Sequence, residues 1–144
     1  MLPMPATTHE IQYITHYRIL QKLASGGMGS VYLAEQLGAE AFKKTVAIKT
    51  IKKEFINNAE SLSLFTGEAK LTADLIHQHI VQVYQLGQAG DFYYIVMEYV
   101  HGKTLRDFVR QHKDQRKYVD SEIAAYITSR VCRALEYAHE KKDR

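Results

Sequence analysis

The chain has 144 residues, 46% of them hydrophobic and 24% charged, with a formal net charge of +3. That is enough chain for one ordinary domain with a buried core, and the composition excludes disordered and fibrous proteins. Its positive and negative residues are interleaved, which speaks against a groove for nucleic acid. No apolar run reaches the roughly 18 residues that span a membrane, and no signal-peptide pattern opens the chain, so it reads as soluble and cytoplasmic.

Residues 1–14 hold both prolines and no sustained periodicity, and are expected to form a leader without regular order. From Tyr17 to Ala24 the residues Tyr17, Ile19 and Leu23 alternate roughly with Arg18 and Lys22, and Val31 and Leu33 alternate with Tyr32 and Ala34. Two antiparallel strands are predicted there. Between them lies Leu23-Ala24-Ser25-Gly26-Gly27-Met28-Gly29-Ser30-Val31, with three glycines in four positions. Glycine tolerates positive φ and has no Cβ, so successive amides there can line a concave turn that meets an anion such as phosphate; a flexible surface hairpin is the alternative reading.

Gln36 to Lys44 is predicted to be a polar loop, and Thr45-Val46-Ala47-Ile48-Lys49-Thr50-Ile51, rich in β-branched residues, a third strand. From about Ala59 to Leu75, Leu62, Phe65, Ala69, Thr72 and Ala73 recur at three- and four-residue steps, with Glu60, Glu68, Lys70 and Asp74 on or beside another face: an amphipathic helix. His77-Gln78-His79 ends it. As His-x-His it could chelate a metal, but two ligands without a third make a plain loop the better reading. Ile80 to Leu86 and Phe92 to Tyr99 read as two more strands, joined by a turn-rich linker from Gly87 to Asp91.

After His101-Gly102 the pattern becomes helical. Thr104 with Asp107 forms a capping-box-like start for a helix to about His112, and Asp120 or Ser121 caps a second one. In that helix Ile123, Ile127, Val131, Leu135 and Ala138 form an apolar stripe that needs a partner. The single cysteine, Cys132, lies in the same pattern; it fits a reducing compartment and reads as a buried structural thiol.

Order and spacing join these signals. Lys49 follows Gly29 by 20 positions and Glu68 follows Lys49 by 19. Singly, Lys49 is a solvated strand-end lysine and Glu68 a helix-surface charge; their joint spacing points elsewhere. Val46-Ala47-Ile48-Lys49 after a glycine loop, a glutamate on the next helix, then Ile95-Val96-Met97-Glu98-Tyr99-Val100, resembles the ATP-binding lobe of protein kinases. Gly26-Gly27-Met28-Gly29-Ser30-Val31-Tyr32, Met97-Glu98-Tyr99-Val100 and Thr104-Leu105-Arg106-Asp107 are similar to bacterial eukaryotic-like serine/threonine kinases, from about Tyr17 to Arg144.

The resemblance implies an α+β fold: a kinase-like N-lobe at 15–100 with a five-stranded antiparallel sheet and one helix, a hinge at 98–102, and two helices of an incomplete C-lobe at 103–144. It implies ATP as ligand and phosphoryl transfer to a protein serine or threonine hydroxyl. The backbone amides of Ser25, Gly26, Gly27, Met28 and Gly29 cover the phosphates, with Leu23, Ala24 and Ser30 also binding the nucleotide; Lys49 donates charge-assisted hydrogen bonds to the phosphates and Glu68 holds Lys49. Val31 and Ala47 press on the adenine, Met97 is the gatekeeper, and the backbones of Glu98 and Val100 read the ring's edge.

Two departures from the family pattern stand out. Ala24 occupies the place of the family's first loop glycine; at extended φ/ψ a methyl is tolerated there. The family's His-Arg-Asp loop and its Asp-Phe-Gly magnesium aspartate are not in this sequence. The chain is therefore expected to stop before the catalytic loop and to be inactive alone, with Mg²⁺ held only in an intact parent and no metal site here. The alternative is a non-catalytic nucleotide-binding or interaction module that pairs with another chain. Self-association through the stripe of the last helix is expected.

Overall fold

A computed structural model of the chain describes residues 13–14 and 16–141. Apart from Tyr13–Ile14, the expected leader lies outside the described residues. The chain divides into two compact units, one running up to Asp74 and resuming over Gln82–Tyr99, the other made of Leu75–Val81 and the residues from Val100 onward.

The first unit is an antiparallel sheet of β1 (Tyr13–Ile14), β2 (Tyr17–Ser25), β3 (Gly29–Leu37), β4 (Lys43–Ile51), β5 (Val83–Ala89) and β6 (Phe92–Glu98), in the order β1-β2-β3-β4-β6-β5. Five long strands match the expected sheet, and β1 adds a two-residue edge. β4 lies near the middle, where Val46, Ala47, Ile48, Thr50 and Ile51 are buried, as its β-branched run requires. Period-2 alternation sends Val46 and Ile48 to one face, with Tyr17, Ala34, Tyr94 and Val96. Ile51 and Ile95 face the other way, against two short-range helical neighbours: α1 (Lys53–Ile56) and α2 (Ala59–Ala73), which supplies Phe65 and Ala69. Each of these large apolar side chains contributes about 1.5–3 kcal/mol by leaving water.

Several boundaries differ from the sequence reading. The expected loop from Gln36 to Lys44 shrinks to a one-turn 3₁₀ segment, Ala39–Ala41, because β3 and β4 pair as far as Leu37 and Lys43. The strand expected at Ile80 begins at Val83, and the linker from Gly87 to Asp91 is mostly strand. Only Gly90, at φ +57°, and Asp91 turn the chain, with Ala89 opposite Phe92. Gly87 is glycine for another reason: a Cβ there would lie 2.3 Å from the Tyr94 ring that covers it.

The second unit contains α3 (Leu105–Asp114) and α4 (Ser121–Glu140). Thr104 caps α3 by accepting from the Asp107 N–H at 3.1 Å, and its hydroxyl donates to the Asp107 carboxylate at 2.8 Å. Asp120 caps α4 through the Glu122 N–H at 2.8 Å. The Leu75–Val81 segment lies on α4: His77 stacks on Tyr137 with centroids 5.1 Å apart, and the Tyr137 hydroxyl accepts from the Ile76 N–H. Burial, then the charges of His77, Arg130 and Arg133, push the His79 pKa below its ordinary value, and its Nε2 has no hydrogen-bond partner among the described residues. Cys132 is exposed, not a buried thiol: it sits one position off the stripe, and α4 buries none of its residues. Within the stripe itself Ile123, Val131 and Leu135 are about half exposed.

Candidate functional site

Strand register assembles one face of the first unit. Val31 pairs with Lys49, Leu33 with Ala47 and Ala47 with Met97, so Val31, Ala47, Lys49 and Met97 point to the same side as Ile51 and Ile95. α2 covers the Ile51–Ile95 end of that face through Phe65 and Ala69, and half-buried Met97 packs on the same cluster. Ala47, at 6% exposure, is the smallest side chain of its row, between Leu33 and Met97.

At the edge of α2 the Lys49 ammonium donates to both oxygens of the Glu68 carboxylate, at 2.8 and 2.6 Å. This two-point contact fixes the ammonium more tightly than a single bond. The side chains are 31% and 53% exposed, so the pair contributes only ~1 kcal/mol to stability; what it supplies is position. Phe65, one helical turn before Glu68, places its ring 6.0 Å from the Lys49 nitrogen. The i, i+3 spacing of Phe65 and Glu68 makes that placement readable from sequence, although Phe65 reads there only as a core residue.

The glycine loop closes between Ser25 and Ser30, which face each other across β2 and β3. The Gly26 N–H donates to the Gly29 carbonyl at 2.8 Å, and the Met28 carbonyl accepts from the Lys52 N–H at 2.9 Å. The Gly27 and Met28 amides have no backbone partner among the described residues. None of the three loop glycines has positive φ, so conformational licence is not what glycine supplies here. At Gly29 the reason is closeness: a Cβ would lie 2.0 Å from the Thr50 carbonyl oxygen. At Gly27 the space beside the backbone is open. Ala24 lies outside the left-handed region, next to a register shift opposite Val31, where its methyl meets no backbone objection.

The structure therefore gathers Val31, Ala47, Lys49, Glu68 and Met97, with the loop from Ala24 to Ser30 at the end of β2 and β3. Leu23, in β2, is 40% exposed. The Glu98 N–H donates to the Gln82 carbonyl at 2.9 Å, and Glu98 itself sits opposite Val46 on the other face of the sheet from Met97. Val100 belongs to the second unit and is 58% exposed. Among the described residues no group of three His, Cys, Asp or Glu side chains converges as a metal site.

A glycine loop, a strand lysine held by a helix glutamate and an apolar face beside them define a kinase-type N-lobe. Residues 17–142 match the model of the protein kinase domain, and the chain belongs to that family. It is 38% identical over 124 residues to the tyrosine-protein kinase MasK of Myxococcus xanthus, covering 86% of this chain and 19% of that protein. It is 35% identical over 126 residues to the serine/threonine-protein kinase PrkC of Bacillus subtilis, covering 88% of this chain and 18% of PrkC. The solved kinase domain of Mycobacterium tuberculosis PknI superposes with a TM-score of 0.64 at 28% identity, over 87% of this chain and 49% of that one. The chain thus spans about a fifth of the length of these curated relatives and about half of the solved kinase domain.

Proposed function

We propose that the chain is the ATP-binding portion of a protein serine/threonine kinase, whose reaction is phosphoryl transfer from ATP to a protein hydroxyl. The observation that carries this is the Lys49–Glu68 pair on the same sheet face as Val31, Ala47 and Met97. Serine or threonine as the acceptor rests on the naming of PrkC, and the name of MasK makes tyrosine the alternative acceptor. Location in the cytoplasm goes with ATP as donor. No helix of the described residues is long and apolar enough to cross a membrane.

The residues fit a nucleotide. The Gly27 and Met28 amides, which have no backbone partner among the described residues, and the Lys49 ammonium offer donors to phosphate oxygens, and the small side chain of Ala47 suits a flat ring. Glu68 keeps the ammonium aimed by occupying two of its three protons. The family also uses Mg²⁺. The described residues offer no converging donor set for it, so no step here is assigned to a protein-held metal. The residues that the kinase fold places in this lobe bind and position the nucleotide. Half-exposed Ile123, Val131 and Leu135 support self-association through α4.

Calorimetric titration with ATP tests this reading. Saturable binding that weakens in Lys49→Met supports it. No heat of binding at millimolar ATP, or binding untouched by Lys49→Met, refutes it.

A further inference from the structure

α2 is built weakly at its centre. Gly67, the ninth of its fifteen residues, directly precedes Glu68. A Cβ on Gly67 would meet nothing within 4 Å, and its φ is not in the left-handed region, so neither space nor backbone geometry requires glycine. What remains is the effect on the helix, where glycine is about fivefold less favourable than alanine.

The neighbours act in the same direction. The Thr66 hydroxyl donates back to the Leu62 carbonyl at 2.9 Å, and that of Thr72 to the carbonyl of Glu68 itself at 2.7 Å, a pattern that loosens and bends helices. Few contacts compensate: only Phe65 and Ala69 of α2 are buried, while Leu64 and Leu71 are 62% and 72% exposed. The Lys49–Glu68 pair, partly exposed on both sides, favours the ordered helix by a factor of about five at most. At its upper limit the factor from the pair matches that from Gly67 and acts in the opposite direction.

We propose that Gly67 is a positioning residue: by softening α2 next to Glu68, it sets the fraction of molecules in which Glu68 holds Lys49. The inference deepens the nucleotide-site reading and rests on it only for its functional consequence. A Cβ at this position shifts the balance toward the paired state while meeting no residue beyond its chain neighbours and its own helix backbone.

The test compares the full chain with Gly67→Ala, Glu68→Gln and the double variant, using two readouts that need no nucleotide. Amide hydrogen exchange across residues 62–72 reports the helix. The rate of Lys49 acetylation by N-hydroxysuccinimide acetate, relative to exposed Lys113, reports the pair. Gly67→Ala is expected to slow exchange about fivefold and Lys49 acetylation at least twofold. In the Glu68→Gln background it should still slow exchange but leave the acetylation rate unchanged.

Unchanged exchange in Gly67→Ala overturns the softening. Unchanged acetylation, or equal slowing with and without Glu68, overturns the positioning role. ATP titration of the same proteins separates this from the reading above. If no variant binds ATP, the nucleotide-site reading fails, while exchange and acetylation still decide Gly67.

Discussion

Gly29 and Gly27 lie two positions apart in one loop, and the structure assigns them opposite tolerances. An alanine Cβ at Gly29 would sit 2.0 Å from the Thr50 carbonyl oxygen, 3.2 Å from its carbon and 3.6 Å from the Ile51 Cα, all backbone atoms that no rotamer can move aside. Reaching an ordinary contact of 3.4 Å requires β3 and β4 to part by about 1.4 Å where Gly29 pairs with Ile51. The Lys52 N–H to Met28 carbonyl bond, 2.9 Å, lies at the same end and goes with it. A lost hydrogen bond of about 1 kcal/mol and overpacking of about 1–3 kcal/mol give a loss of roughly 2–4 kcal/mol for Gly29→Ala. For a chain of this size that is a fall in Tm of about 6–12 °C. At Gly27 a Cβ meets nothing within 4 Å, and Gly27→Ala should stay within about 0.5 kcal/mol of the parent. Urea and thermal melts followed by circular dichroism measure both. A Gly29→Ala chain that melts with the parent, or a Gly27→Ala chain that loses as much as Gly29→Ala, would refute the steric account.

Lys49→Met should leave the melt within about 1 kcal/mol, since the pair is partly exposed, while weakening ATP about tenfold or more by removing a charge-assisted donor; equal affinity would count against the site. Cys132 should react in the folded chain with a thiol reagent at a rate within a few-fold of a free cysteine, because it is exposed, and protection until unfolding would contradict the helix's orientation. The His79 pKa is depressed in the folded chain, so the unfolded chain binds more protons as pH falls below the ordinary histidine value of about 6.5. The neutral ring's contribution to stability is full above that value and is lost on acidification. An imidazole NMR titration that places His79 at or above the ordinary value would reverse the sign.

The sheet was legible in the sequence because it rests on local chemistry, and the Lys49–Glu68 pair because of the resemblance to protein kinases. The β-branched run of β4 fixes its alternation, and alternation alone puts Ala47 and Lys49 on one face. The resemblance implies the ion pair of Lys49 with Glu68, and Thr104 with Asp107 announces the start of α3. What stayed illegible depends on contacts between distant residues. Gly87 looks like a turn residue until the Tyr94 ring is seen lying across it. α1, four residues long, has too few positions to show a period. Cys132 shares its neighbourhood with apolar residues yet points away from them, since one position along a helix is a rotation of about 100°. The loop glycines are read in the sequence for both φ freedom and a missing Cβ, and the structure uses only the second, at Gly29.

The central claim is that one face of the first unit, from the glycine loop to Met97, receives a nucleotide. An ¹⁵N-amide NMR titration of the chain with ATP tests it most directly. The account predicts saturable shifts concentrated at Gly26 to Ser30, Ala47, Lys49, Glu68 and Met97, with the opposite face at Ala34, Ile48 and Val96 changing least. Shifts that gather on α3 and α4 while the glycine loop and Lys49 stay still would contradict it.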